Sequence, residues 1–253
     1  MSLPHDDVGS GPPLILLHAG IADRTMWAEH LQPLANAGFR VLAPDLPGFG
    51  EAPVAEHEDA PWNDVLATMD ALAIARATLV GNSLGGLVAQ RVAVLAPGRV
   101  EALALVSSGA SGIPPSPALQ AAWEAEEAAV EDGDIEAAVA AVVRAWTLSD
   151  TPETLRTRVG AMQRRAFELQ AAAESAPDGS DPLAENLEAL SGAQVPALLL
   201  VGEHDMSDFH EAAVALAGAL PGSRSATLLS AGHLAPLEQP VLFRQLLLDF
   251  LGA

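Results

Sequence analysis

The chain has 253 residues, half of them hydrophobic, with 33 acidic residues against 12 basic ones and a formal charge of −21. Length suggests one large or two small domains, with α/β folds of this size often forming one, and the apolar content allows a large core and excludes global disorder. The charge excludes a nucleic-acid or anionic-membrane surface, which draws on clustered Lys and Arg. The absence of Cys excludes disulfides, thiolate metal sites and a cysteine nucleophile.

Residues Met1 to Gly11 show no basic segment followed by an apolar run, and no apolar stretch approaches the ~20 residues of a membrane span. The expectation is a soluble cytoplasmic protein. Every basic residue is Arg, and Lys and Tyr are absent. This reads as nucleotide composition bias, or as adaptation to salt through surface carboxylates.

In chain order, Leu14–Leu17 reads as a buried strand, 27–37 as a helix and Arg40–Ala43 as a strand. A helix over 61–75, a strand over Thr78–Val80, a helix over 84–95 and a strand over Ala102–Val106 follow. Short apolar runs alternating with helical patterns predict a parallel sheet covered by helices on both faces. Between Ser111 and Gln194 no strand-like run appears. Helices are expected over 118–129, 135–146, 152–174 and 182–190, an insertion with fifteen acids and five Arg. The strands Ala197–Val201 and Ala226–Leu229 and the helices 211–220 and 241–251 complete the pattern. The expected division is a core of 1–111 and 195–253 and a helical cap of 112–194.

The chemistry concentrates in Gly81-Asn82-Ser83-Leu84-Gly85-Gly86. A G-x-S-x-G turn between a strand and a helix lifts the Ser hydroxyl clear of the sheet and places the Leu84 N–H at a helix N-terminus, where negative charge is stabilised. A serine nucleophile needs a base, and the base an orienter. His233 follows the last strand and Asp205 the one before it. The order Ser83, Asp205, His233 is that of α/β-hydrolases.

Five motifs therefore make the chain resemble the α/β-hydrolase superfamily over nearly its whole length. Leu16-Leu17-His18-Ala19-Gly20 resembles the oxyanion turn, and Pro44-Asp45-Leu46-Pro47-Gly48-Phe49-Gly50 the D-x-P-G-x-G loop. Residues 81–86 are similar to the nucleophile elbow, 202–205 to the acid loop and 231–233 to the histidine loop. The resemblance implies Ser83 as nucleophile, His233 as base and acid, Asp205 as its orienter, and the N–H groups of Gly20 and Leu84 as oxyanion hole, with Ile21 as substitute for Gly20. It implies no cofactor and no metal. His204, Asp205, Asp208 and His210 look like a metal cluster only on paper, without H-E-x-x-H spacing.

Three positions depart from the family pattern. Ala19 stands where Gly is usual, which is strained if the turn needs φ > 0. Ala52 replaces a common Ser or Thr. The short N-terminus predicts loss of the first strand and most of the second, leaving an edge to be covered or paired in a dimer. Monomer and homodimer both stay open.

Ile21, Trp27, Trp123 and Trp146 are candidates for the substrate pocket, as are Met26 and Phe209, each weighed against plain core packing. His18 and Asp45 are expected to order their loops, Asp208 is an alternative orienter, and Arg164-Arg165 reads as a salt-bridged helix face. The implied reaction is hydrolysis of a small carboxylic ester through an acyl-enzyme. The same triad serves C–C bond hydrolases, enol-lactonases and cofactor-free perhydrolases or haloperoxidases. The G-N-S-x-G-G elbow is common among C–C hydrolases, yet those usually carry Trp after the His, where this chain has Leu234, and a longer Gly-rich oxyanion loop. A non-catalytic receptor or scaffold is the alternative of another class. The acidic cap is expected to disfavour dianionic substrates.

Overall fold

The computed structural model describes residues 2–55, 58, 60–174, 176–177, 179–184 and 186–253. Its strands are β1 (His5–Gly9), β2 (Pro13–Leu17), β3 (Arg40–Pro44), β4 (Ala77–Asn82), β5 (Val100–Val106), β6 (Ala197–Gly202) and β7 (Arg224–Leu228). They form one sheet in the order β1-β3-β2-β4-β5-β6-β7, parallel except for the β1–β3 pair.

The continuous apolar runs are explained by burial on both faces. Leu14 and Leu16 of β2 join Val80, Ala104, Val106, Leu198 and Leu200 in one core layer. Ile15 and Leu17 point the other way and join Leu79, Leu103, Leu105 and Leu199. The helices α1 (Ala28–Asn36), α2 (Pro61–Ala71) and α3 (Leu84–Leu95) alternate with the first strands. Between β5 and β6 run α4 (Pro117–Glu131), α5 (Ile135–Trp146) and α6 (Glu153–Ala171). The chain ends through α7 (Ser207–Ala219), α8 (Ala235–Glu238) and α9 (Pro240–Leu251).

Three expectations are corrected. The expected loss of most of a second strand does not occur: one strand precedes Leu14, and this β1 pairs antiparallel with β3 over five residues, from His5 opposite Pro44 to Gly9 opposite Arg40. An Arg40–Asp7 ion pair at 2.6 Å spans the two strands. The sequence His-Asp-Asp-Val-Gly hides the strand because an edge strand tolerates charge. β1 covers the β3 edge and itself becomes the outer strand of the sheet, opposite β7. The helix expected over 182–190 is instead turns and a 3-10 helix, Glu188–Ala193, although Leu183 and Leu190 are buried as the spacing suggests; Glu185 lies outside the described residues. The helix expected to reach residue 75 stops at Ala71, where the chain turns through Ala73 at φ 53°.

Packing of α1 against α9 centres on His30, which is fully buried. Its Nε2–H donates to the Pro236 carbonyl at 3.1 Å, and Nδ1 accepts from Arg244 at 3.4 Å. Burial, with Arg244 adding, pushes its pKa down to about 4. The unfolded chain therefore binds a proton that the folded chain refuses between pH 6.5 and about 4. Stability is full above pH 6.5 and falls as the pH drops through this window, by up to about 3 kcal/mol. Urea unfolding at pH 7 and pH 5 measures the loss, and His30→Gln is expected to flatten it.

Candidate active site

The chain crosses from one side of β2 to the other between β3 and β4, so the carboxyl ends of β2 and β4 flank a crevice of the kind that binds ligands in α/β sheets. Each end carries a candidate loop. After β4, Ser83 has φ 52° and ψ −113°, a conformation that L-residues rarely adopt. The flanking glycines follow from close approach. A Cβ on Gly81 would lie 2.3 Å from the Gly85 carbonyl, and one on Gly85 would lie 2.2 Å from Leu17 O. The elbow is fastened by Ser83 N–H to Val106 O at 2.9 Å and Gly85 N–H to His18 O at 3.0 Å.

After β2, the turn closes through Ala22 N–H to Ala19 O at 3.0 Å. Ala19 is not at positive φ, so alanine fits there without the strain foreseen from the family pattern. A Cβ on Gly20 would lie 3.6 Å from the Leu84 side chain, which places residue 20 beside residue 84. Leu84 opens α3 and has no intrahelical acceptor for its N–H. Ile21 also reaches the cavity wall.

His18 is fully buried and bridges two loops. Its Nε2 accepts from Leu46 N–H at 2.9 Å, so Nδ1 carries the proton and donates to Ala19 O at 2.8 Å. Burial holds its pKa below the ordinary value, in keeping with a neutral ring that orders the turn. Asp45 is likewise an organiser: buried, it accepts from the N–H groups of Arg24 and Glu51, both at 2.8 Å, and pairs with the Arg24 guanidinium.

The histidine and acid loops are pinned together. His204 N–H donates to Ala231 O at 2.8 Å, Ser230 N–H to Glu203 Oε2 at 2.8 Å, and Gly232 N–H to Glu238 Oε2 at 2.7 Å. His233 Nδ1–H lies 3.1 Å from both carboxylate oxygens of Asp205, and both side chains are nearly sealed from solvent. That bond leaves Nε2 unprotonated in the neutral ring, the state a base requires. Asn82, missed as a candidate, ties the loops to the elbow: its Nδ2 donates to Val106 O and to His233 O, each at 3.1 Å. Its place inside the G-x-S-x-G motif was the available signal.

Ser83 and His233 line one cavity of about 1010 Å³, together with Gly20, Ile21, Trp123 and Trp146. His233 packs against Phe209 and Trp146 with tilted rings, their centroids 4.2 and 4.5 Å away. Trp27 is elsewhere: fully buried, it packs on Phe243 and His30 in the core, which corrects its expected role at the substrate. His30 of α1 and Phe243 of α9 enclose the ring, and Trp27 is not among the residues that line the cavity. Met26 is also core. Trp27→Ala is expected to lose about 3–5 kcal/mol of stability, and Trp123→Ala to raise KM with stability unchanged; urea unfolding and steady-state kinetics separate the two.

Asp208 does not touch His233 by hydrogen bond. It accepts from Ser116 N–H and Oγ–H, both at 2.7 Å, and so anchors the start of α4 to α7. Burial alone would raise its pKa; the Ser116 bonds outweigh this and hold it below the carboxylate range. Arg164 pairs with Glu136 at 2.6 Å, while Arg165 donates to Gly50 O at 3.2 Å. Among the described residues no group of three or more His, Cys, Asp or Glu is arranged to hold a metal ion, and no helix is long and apolar enough to cross a membrane.

The profile of the alpha/beta hydrolase family matches residues 14–246. The chain is 30% identical over 263 aligned residues to a 2-hydroxy-6-oxononadienedioate/2-hydroxy-6-oxononatrienedioate hydrolase of Paraburkholderia phymatum, covering 98% of this chain and 90% of the relative. It superposes on the enol-lactonase of Burkholderia xenovorans LB400 with a TM-score of 0.81 at 26% identity, covering 99% and 96% of the two chains. A hydrolase of Pseudomonas aeruginosa gives a TM-score of 0.79 at 30% identity, over 98% and 94%. With the profile spanning nearly all of its strands and helices, this chain belongs to the alpha/beta hydrolase family.

Proposed function

We propose that the chain is a serine hydrolase that cleaves a C–C bond next to a ketone, or the C–O bond of an enol-lactone, in a substrate larger than a simple ester. The small-ester reading moves to second place. The observation that carries this order is the cavity: about 1010 Å³ lined mostly by apolar side chains, at the top of the range for drug-sized ligands. The relatives that span nearly the whole chain, a C–C bond hydrolase and an enol-lactonase by name, support it. Simple ester hydrolysis keeps one specific observation in its favour, Leu234 directly after the histidine.

In this proposal Ser83 attacks the carbonyl carbon as His233 takes its proton. Gly20 and Leu84 N–H groups hold the oxyanion, each worth roughly 3–4 kcal/mol in the transition state. His233 then protonates the leaving carbon or oxygen, and water releases the acyl group. Asp205 holds the imidazole in its working tautomer. No cofactor enters any step. The division into a core of 1–111 and 195–253 and a cap of 112–194 belongs to the same proposal, and a cavity lined by both segments supports it. The partner is a small molecule.

The test is kcat/KM on three substrates: a 6-aryl-2-hydroxy-6-oxohexadienoate, an enol-lactone, and p-nitrophenyl butyrate. At least one of the first two is expected to exceed the ester by about tenfold or more, which is about 1.4 kcal/mol. The reverse order would return the ester to first place.

A further inference from the structure

The cavity holds one guanidinium, Arg91, and three carboxylates, Glu126, Glu127 and Asp208. Arg91 stands on α3 eight residues beyond Ser83, about 12 Å along the helix at 1.5 Å per residue. A lone Arg there would be the natural clamp for an anionic substrate end. It is already taken. Its Nε–H donates to Asp181 Oδ1 at 3.0 Å and its Nη2–H to Asp181 Oδ2 at 2.7 Å, a bidentate pair. Nη1–H goes to Leu87 O and Nη2–H also to Ser111 Oγ, both at 3.3 Å. Four of the five donors are committed within the chain. Burial raises the Asp181 carboxyl, and the Arg91 and Leu183 N–H bonds outweigh that to hold it below its ordinary value. Glu126, half-buried on α4, has no hydrogen-bond or ion-pair partner among the described residues.

We infer that Asp181 and Glu126 are specificity-determining residues that make the cavity reject an anionic group on its substrate: Asp181 by occupying Arg91, Glu126 by lining the space unpaired. The substrate then directs an uncharged group toward Arg91 and Glu126; in a 6-aryl-2-hydroxy-6-oxohexadienoate this is the aryl group, the carboxylate lying on the other side of the reacting carbonyl. This goes further than the charge of the cap as a whole. It also separates this chain from its Paraburkholderia phymatum relative, named for a dioate. The inference rests on the proposed reading of Ser83 as nucleophile and of this cavity as the substrate site.

The test is the rate at which the full chain is labelled by octyl fluorophosphonate and by its ω-carboxylated counterpart, read by intact mass. Labelling requires only a competent serine, whatever bond the enzyme cleaves. The neutral probe is expected to react about tenfold faster, since a like charge facing it costs more than a kcal/mol. Glu126→Gln is expected to narrow the ratio about threefold, and Asp181→Asn about fivefold, by freeing Arg91. Glu126→Gln leaves the Arg91 pair intact, so the test survives if Asp181→Asn folds poorly. A ratio near one in the unsubstituted chain overturns the inference and leaves the nucleophile standing. So does a ratio that falls with salt but ignores both substitutions, because the charge of the whole chain would then be responsible. Fast neutral labelling without turnover of ketone or lactone substrates overturns the proposed reaction alone. No labelling by either probe overturns both.

Discussion

Ser83→Ala is expected to lower kcat by about 10⁶-fold while leaving the urea midpoint in place. The size follows from the geometry. Ser83 sits at φ 52° on a turn where Gly81 and Gly85 leave no room for a Cβ. The side chain is small and only partly buried, and the turn is held by backbone bonds to Val106 and His18 that alanine keeps. Residues that act as a unit are not additive. Ser83→Ala combined with His233→Ala is therefore expected to be no slower than Ser83→Ala alone, with residual rate coming from the oxyanion hole and binding. Independent, multiplying losses would mean that the two residues do not serve one step.

Asp205→Asn is expected to lower kcat by about 10⁴-fold with KM little changed. Both oxygens of Asp205 accept from one imidazole N–H at 3.1 Å, and the pair is shielded from water. An amide at this place offers a donor, which favours the tautomer with the proton on Nε2. A histidine protonated there has no lone pair to accept the serine proton. Asp208→Asn is expected to leave chemistry nearly intact, because Asp208 is spent on Ser116. Equal losses from the two substitutions would move the orienting role away from Asp205.

Much of this site was legible because its parts are local. Ser83, Asp205 and His233 each follow a strand's carboxyl end within a few residues, so a motif and its strand are enough to place each candidate. The alternating layers of the sheet were legible for the same reason: Leu14 to Leu17 is apolar throughout because both faces are buried. What the sequence hid depends on distant partners. Trp27 announces a large apolar volume, and only the packing of Phe243, more than two hundred residues on, decides that it fills core and not pocket. Asp181 lies 90 residues from Arg91, and nothing in its own neighbourhood signals the pair. Leu183, Leu187 and Leu190 have helical spacing, yet their burial is achieved along turns and a 3-10 helix. The first strand was missed because its acids are matched by Arg40 and Arg24 across the fold.

The account stands on Ser83 as the residue that becomes covalently bound during turnover. The most direct measurement is peptide mapping of the intact chain after reaction with a neutral alkyl fluorophosphonate. One adduct per chain is expected, on Ser83, formed far more slowly in Asp205→Asn and absent in Ser83→Ala. An adduct on any other residue, or none on a folded chain, would contradict it.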